Sequence, residues 1–239
     1  MAPSEADAKR AVAALQAVPA DALPERILTT ADTAVAARMI RRESAREERL
    51  ERLRDPGSLR CVGPGKYVVL VVDPPWRYTG ASDPTRTAEN HYPTLSHDEL
   101  LALPVGEIAA RHAVLFLWTT PPKVAEAAEL IAAWGFAYKT CAVWDKERLG
   151  LGSWYRLQHE LLLIATRGNV PPPAPMNRPP SVIHAPRGAH SAKPATVREQ
   201  IERMYPHVPR IELFARGAVP GWEVWGFEAV REEAGLQVG

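Results

Sequence analysis

The run Tyr67-Val68-Val69-Leu70-Val71-Val72 restricts the fold more than any other part of the sequence. It is apolar and β-branched with no polar alternation, the pattern of a strand buried on both faces rather than one with a solvated side. Such a strand implies layers of other structure above and below it. It stops at Asp73-Pro74-Pro75-Trp76, where two successive prolines lack amide hydrogens and cannot extend a hydrogen-bonded ladder.

Further runs of the same kind predict strands over Ala113–Trp118, Ala137–Trp144, Glu160–Thr166 and Arg210–Phe214. Between them lie helical patterns. Ser96-His97-Asp98-Glu99 fits a capping box opening a short helix. Pro121–Trp134 reads as a helix closed by Gly135, and Lys193–Tyr205 as a helix with Pro194 near its start. Strands alternating with helices predict an α/β fold with a mainly parallel central sheet flanked by helices. Val170–Ala192, interrupted by Pro171, Pro172, Pro173, Pro175, Pro179, Pro180 and Pro186, reads as a long irregular loop, and a loop of that length is usually functional.

Residues 1–60 have a different character, rich in Ala, Arg and Glu. Thr30–Arg54 interleaves Arg and Glu at helical spacings, which predicts a solvated, salt-bridged helix. Eleven Lys/Arg against ten Asp/Glu in residues 1–60 argue against a basic nucleic-acid arm. The expected organisation is a helical N-terminal extension over 1–60, one main domain over 61–230 and a tail over 231–239. Asp55-Pro56-Gly57 reads as the turn-rich junction between the first two. The start of the chain lacks a signal-peptide pattern, and no apolar run is long enough to span a bilayer, so the expected home is cytoplasmic, without membrane attachment. Cys61 and Cys141 form no metal-binding spacing and are expected to be small buried apolar residues. The seven histidines show no i, i+4 pair, so no metal site is expected.

Ligands of open α/β sheets bind beyond the carboxyl ends of the strands. The strand ending at Val72 delivers a carboxylate (Asp73), two rigid prolines (Pro74 and Pro75) and an indole (Trp76) to that place. The Asp73 carboxylate and the Pro74 carbonyl form an acceptor pair that suits both hydrogens of an exocyclic amine, and Trp76 offers a ring for stacking on a base. Read alone, the same four residues also fit a strand-end turn with a buried tryptophan. No GxGxxG follows any strand and no P-loop is present, which disfavours a nicotinamide or nucleoside-triphosphate site. The net charge of +1 is low for a chain that relies on phosphate contacts alone. The most basic region is 178–216, with seven Lys/Arg (Arg178, Arg187, Lys193, Arg198, Arg203, Arg210 and Arg216) against three Glu. It reads as a phosphate path or, almost equally well, as a proline-rich loop whose arginines merely solvate it.

KYVVLVVDPPW, HYPTLSHDEL, LFLWTT, WGF, HELLLIATRGN, SAKP and IERMYP…RIELFAR follow one another between Lys66 and Trp225. In order and spacing they resemble the METTL-type (DPPW-motif) adenine-N6 methyltransferase family, in its bacterial and phage branch. The resemblance implies a Rossmann-like methyltransferase fold, S-adenosylmethionine as cofactor, and methyl transfer to the N6 amine of adenine in nucleic acid, DNA before RNA. It implies that Asp73 and Pro74 hold the amine while Pro75 and Trp76 shape the base site. Tyr78, Tyr92 and Glu160 fall near the acceptor base, with Arg187 on the nucleic acid. Asp73, Lys193, Glu212, Phe214 and Arg216 fall around the methyl donor, Lys193 on its carboxylate. Pairing with a second copy or a related subunit is open. The sequence departs from the family after Arg216, at Phe227 where an asparagine is usual, and at Leu157 where many relatives are polar. Phe227 cannot make the hydrogen bond to the donor that the asparagine would. Two other readings stand beside this one: a nucleic-acid-binding subunit with little activity, and a methyltransferase for another exocyclic amine.

Overall fold

The protein is described by a computed structural model covering residues 55–78, 94–150, 152, 154–188, 192–215, 217 and 219–226, together with positions 44, 47, 48, 51 and 53. The chain divides into two compact units, Met1–Arg52 and Leu53–Gly239. In the first, Ser44, Glu47, Glu48 and Glu51 are helical and exposed, as the Arg/Glu pattern predicts for those positions. The rest of the expected helix and the tail over 231–239 lie outside the described residues. None of the helices described is long and apolar enough to cross a membrane.

The second unit is built on a seven-stranded sheet. Its strands are β1 (Tyr67–Val72), β2 (Ala109–Thr119), β3 (Ala137–Asp145), β4 (His159–Arg167), β5 (Val182–His184), β6 (Arg210–Leu213) and β7 (Glu223–Trp225). The order across the sheet is β5-β3-β4-β2-β1-β6-β7. β1 pairs in parallel with β2 and β6, β3 with β5, and β6 with β7, while β4 is antiparallel to both β2 and β3. Six strands therefore share one direction and β4 alone runs against them. The fold is the Rossmann-like α/β arrangement, with a mainly parallel sheet, that the sequence predicts.

The buried run of the sequence is the interior strand it was expected to be. β1 lies between β2 and β6, and five of its six residues are buried. One face of the sheet carries Val69, Val71, Val114, Phe116, Trp118, Trp144 and Leu162, packed with Val197 and Ile201 of α5 (Ala195–Met204). Alternation sends Leu70, Val72, Leu115 and Leu117, all fully buried, to the opposite face. There α4 (Val124–Ala133) packs on β2 and β3. Trp118, Trp134 and Trp144 are core residues, each burial contributing about 2–3 kcal/mol.

Helix boundaries follow their chemistry. The capping box is present: the Glu99 amide donates to Ser96 Oγ at 3.2 Å and the Ser96 amide to Glu99 Oε2 at 2.7 Å, opening α2 (His97–Leu101). α4 is preceded by a 3-10 turn, Pro121–Lys123, and followed by Gly135 at φ 79°. The Asp55-Pro56-Gly57 junction is itself a helix start. Asp55 caps α1 (Pro56–Arg60) by accepting from the Gly57 amide at 2.9 Å, with Pro56 in the first turn. Asp-Pro serves a turn and a helix N-terminus equally well, which is why the sequence reads either way. α3 (Val105–Ile108), β5 and β7 are too short to leave a periodic signal. The cysteines correct their expectation: Cys61 is exposed just past α1 and Cys141 is half-buried, and both are free thiols.

Gly106 in α3 sits where a Cβ would lie 2.6 Å from the Trp134 carbonyl, so α3 and the end of α4 approach through a missing side chain. Gly106→Ala should cost about 1–3 kcal/mol by forcing them apart. A lower midpoint of urea denaturation at unchanged slope is the expected reading.

Candidate active site

β1 delivers Asp73 to the carboxyl edge of the sheet. Its side chain is on the α5 face, in line with Val69 and Val71. The turn after it is rigid. The Trp76 amide donates to the Pro74 carbonyl at 2.8 Å, and the Leu95 amide to the Pro75 carbonyl at 2.9 Å. Both proline carbonyls thus already accept one hydrogen bond. A carbonyl oxygen has two lone pairs, and Pro74 retains one. Trp76 is different from expectation. It is 5% exposed, and its indole N–H donates to the Trp118 carbonyl at 3.3 Å. It anchors the turn to β2 and is no open stacking platform.

The reversal of β4 shapes the rest. Because β4 runs opposite to its neighbours, it begins where they end, and Glu160 at its start reaches the edge that carries Asp73. Lys193, just before α5, joins them. Its ammonium lies 2.8 Å from Asp73 Oδ2 and 3.1 Å from Glu160 Oε2, and 5.5 Å from the centre of the Trp118 ring. Lys146, one residue past β3, lies 2.7 Å from Glu160 Oε1 and 5.5 Å from the centre of the Trp144 ring. The result is a chain of alternating charges, Asp73–Lys193–Glu160–Lys146, laid over two tryptophans that meet edge to face.

Burial pushes the Glu160 carboxyl up, but Lys193 and Lys146 outweigh it and hold the group below the ordinary carboxylate value. Burial also pushes the Lys193 ammonium down, and Asp73 and Glu160 reverse this, holding it above the ordinary lysine value. Both groups are therefore charged throughout the neutral range. Lowered acid and raised base stabilise each other: the Glu160 contribution is complete above its unfolded pKa and is lost as pH falls through the folded one. The Lys193 contribution is lost only as pH rises through a value above that of ordinary lysine.

Beside the cluster opens a cleft of about 540 Å³. Glu160 belongs to both. Trp144, Tyr78 and Thr120 line the cleft, with the Tyr78 hydroxyl 2.7 Å from Thr120 Oγ1. Among the described lining residues, Lys146, Arg148, Arg156 and Arg187 bring four cations against the one carboxylate of Glu160.

The remaining expected residues divide. Glu212 is on β6, but Arg198 of α5 holds it in a two-pronged pair at 2.7 and 2.9 Å. Phe214 is 6% exposed, its ring edge to face with Trp225, and its backbone is left-handed at φ 62°. A bulky residue at positive φ is strained. Gly226 presses on it so closely that a Cβ there would lie 2.7 Å from the Phe214 Cα. The Phe214 ring is thus core. Tyr92, Arg216 and Phe227 lie outside the described residues. Several cations of the basic region 178–216 are already engaged. Lys193 and Arg198 are paired as above, Arg178 donates to the Pro173 carbonyl, and Arg210 lies over Trp222. Among the described cations of that region, Arg187 alone lines the cleft. The other rim cations, Arg148 and Arg156, come from the β3–β4 connection. Lys146 is the partner the sequence reading missed. Its position just beyond a strand's carboxyl end was the available signal, the same that singled out Asp73.

A strand-end carboxylate, a half-buried lysine and a basic cleft form a site of the kind that open α/β sheets carry beyond the carboxyl ends of their strands. A family model described as MT-A70 matches residues 67–228, and the chain belongs to that family. The Type II methyltransferase M.MunI of a Mycoplasma species is 38% identical over 181 residues, which cover 68% of this chain and 78% of the relative. The MT-A70-like N(6)-adenosine-methyltransferase of Drosophila melanogaster is 31% identical over 174 residues, 68% of this chain and 27% of its own length. The N(6)-adenosine-methyltransferase catalytic subunit METTL3 of Homo sapiens is 30% identical over 174 residues, 68% of this chain and 28% of its own length. The chain thus spans about a quarter of these two larger relatives.

Lys146→Met should remove one of two cations from Glu160, raise its pKa and cost about 1–3 kcal/mol of stability. Denaturation midpoints followed from neutral pH into the acid range should show the variant losing stability at higher pH than the parent. Coincident profiles would mean Lys146 does not act on Glu160.

Proposed function

We propose that this chain transfers a methyl group from S-adenosylmethionine to the N6 amine of adenine in nucleic acid, DNA in preference to RNA. The observation that carries the reading is the Asp73–Lys193–Glu160 cluster at the carboxyl edge of the sheet, opening onto a basic cleft. The relatives named N(6)-adenosine-methyltransferases support the acceptor atom. The preference for DNA follows the stronger likeness to the Type II methyltransferase.

The residues present suit the donor. S-adenosylmethionine carries a carboxylate and a cationic sulfur. An ammonium has three N–H donors, and Asp73 and Glu160 take two of those on Lys193, which leaves one for the donor's carboxylate. Lys193, the backbone at Phe214, Glu212 and Arg216 would hold this group. When bound, it supplies an electrophilic methyl.

The amine of adenine is a poor nucleophile because its lone pair is delocalised into the ring. Asp73 and the remaining lone pair of the Pro74 carbonyl accept its two hydrogens and draw the nitrogen toward tetrahedral geometry. Pro75 and the buried Trp76 keep those acceptors in a fixed direction. Positioning and preorganised charge supply the gain, and no strong base is needed, since the alkylated nitrogen gives up its proton readily. Tyr78, Tyr92 and Glu160 border the base, and Arg187 meets the phosphates. A base within a duplex has to be flipped out to reach Asp73.

Incubation with labelled donor and single-stranded DNA, duplex DNA or RNA, followed by digestion to nucleosides, tests the reading. Label in N6-methyladenine is expected, with DNA the best polymer. Asp73→Asn should lower transfer by about 100-fold or more while the protein remains folded. Full activity of that variant would overturn the mechanism. Label in a cytosine product would overturn the substrate, and donor binding without transfer to any polymer would favour a binding subunit.

A further inference from the structure

The connection between β3 and β4 is built to display two aromatic rings. The Gly150 amide donates to the Leu157 carbonyl at 2.8 Å and the Lys146 amide to the Gln158 carbonyl at 2.8 Å, extending the β3–β4 pair as a narrow neck. Arg156 Nε donates back to the Gly150 carbonyl at 3.2 Å. Two glycines make the neck possible. A Cβ at Gly150 would lie 2.4 Å from the Leu157 carbonyl oxygen, and one at Gly152 only 1.9 Å from that of Tyr155. Beyond this neck Trp154 is 97% exposed and Tyr155 85% exposed.

Every other tryptophan among the described residues has its ring packed or its indole N–H bonded, so two adjacent, nearly bare aromatics on a braced loop call for a ligand. Their setting indicates which. Arg156 follows Tyr155 directly and lines the basic cleft, so the backbone of Trp154 is within about 7 Å of that rim residue. Arg148 and Arg187 stand on the same rim, exposed and with no carboxylate partner among the described residues. Buried against another protein, a Trp and a Tyr would contribute about 300–500 Å², short of the ~800 Å² per partner that a stable interface uses. Aromatic faces beside guanidinium groups that lead to a cleft match instead the recognition of unpaired bases on a phosphate strand.

We propose that Trp154 and Tyr155 form a stacking platform for nucleotides flanking the target, so that the protein takes its substrate as an unpaired strand. This rests on the reading of the chain as a nucleic-acid methyltransferase and names the form of the polymer. The platform grips bases next to the target, while the rim arginines hold their phosphates. Stacking tolerates any base, so the platform adds affinity without setting a recognition sequence.

The test measures binding of a short, dye-labelled, adenine-containing single-stranded oligodeoxynucleotide, and of the same sequence as a duplex, by anisotropy with the full chain. Trp154→Ala is expected to weaken single-strand binding by about tenfold, with a rise in KM larger than any fall in kcat. Trp154→Phe should recover most of the loss. Arg148→Ala should flatten the salt dependence, which Trp154→Ala leaves as it is. Parental affinity in Trp154→Ala, or tighter binding of duplex than of single strand, would overturn the platform while leaving the methyltransferase reading intact. A change from dimer to monomer in Trp154→Ala, with oligonucleotide affinity unaltered, would overturn it in favour of a contact between copies. A parent that binds no oligonucleotide of either form would take down both readings.

Discussion

The ammonium of Lys193 holds together groups that would otherwise repel. Asp73 ends one strand and Glu160 begins another, and their carboxylates share an edge of the sheet over apolar ground formed by Trp118 and Trp144. Two half-buried carboxylates without a cation between them would drive one to take up a proton. Lys193 at 2.8 and 3.1 Å offsets that repulsion, and Lys146 balances the second carboxylate. Four charges sum to zero, so the fold carries a polar site in its core layer without the penalty of an unmatched buried charge. The same lysine precedes α5, the helix that covers one face of β1, so packing of that face and assembly of the site depend on one residue's position.

A single reversed strand makes this arrangement possible. In a wholly parallel sheet every strand presents its carboxyl end at the binding edge, and residues that start a strand lie at the far side. Turning β4 around adds the start of a strand to the ligand edge. Glu160 therefore joins Asp73 without a long connecting segment, and the β3–β4 link becomes a hairpin instead of a crossover. That hairpin supplies Lys146 to the cluster and Arg148 and Arg156 to the cleft.

The central strand, the order of the larger elements and the placing of Asp73 were legible because they rest on short-range chemistry: a β-branched run, two prolines, a capping box, a glycine after a helix. The direction of β4 was not, since HELLLIATR has the same pattern whichever way it runs. Its consequence, the meeting of Glu160 with Lys146, was hidden with it. The basic stretch 178–216 was visible as composition, yet composition does not show that Arg198 is spent on Glu212 or that Lys193 lies between carboxylates. Trp76 illustrates the same limit. Its position after the prolines was read correctly, but whether its indole faces a ligand or the Trp118 carbonyl depends on what packs around it, and that is set by strands elsewhere in the chain. The resemblance to a family gave the site residues expected roles in advance, and the geometry departs from some of them, since the Phe214 ring is packed in the core.

The position of β1 has a consequence for biosynthesis. Asp73 is translated well before β6, although the strand leading to it is flanked by β2 on one side and by β6 on the other. Until Arg210–Leu213 has left the ribosome, this Val-rich strand presents an open edge. A growing chain with a bare Val-rich edge is a template for mispairing with its neighbours. The polar turn at Asp73 and the prolines after it limit how far such a stack can extend, so the residues placed for ligand chemistry also guard the nascent strand.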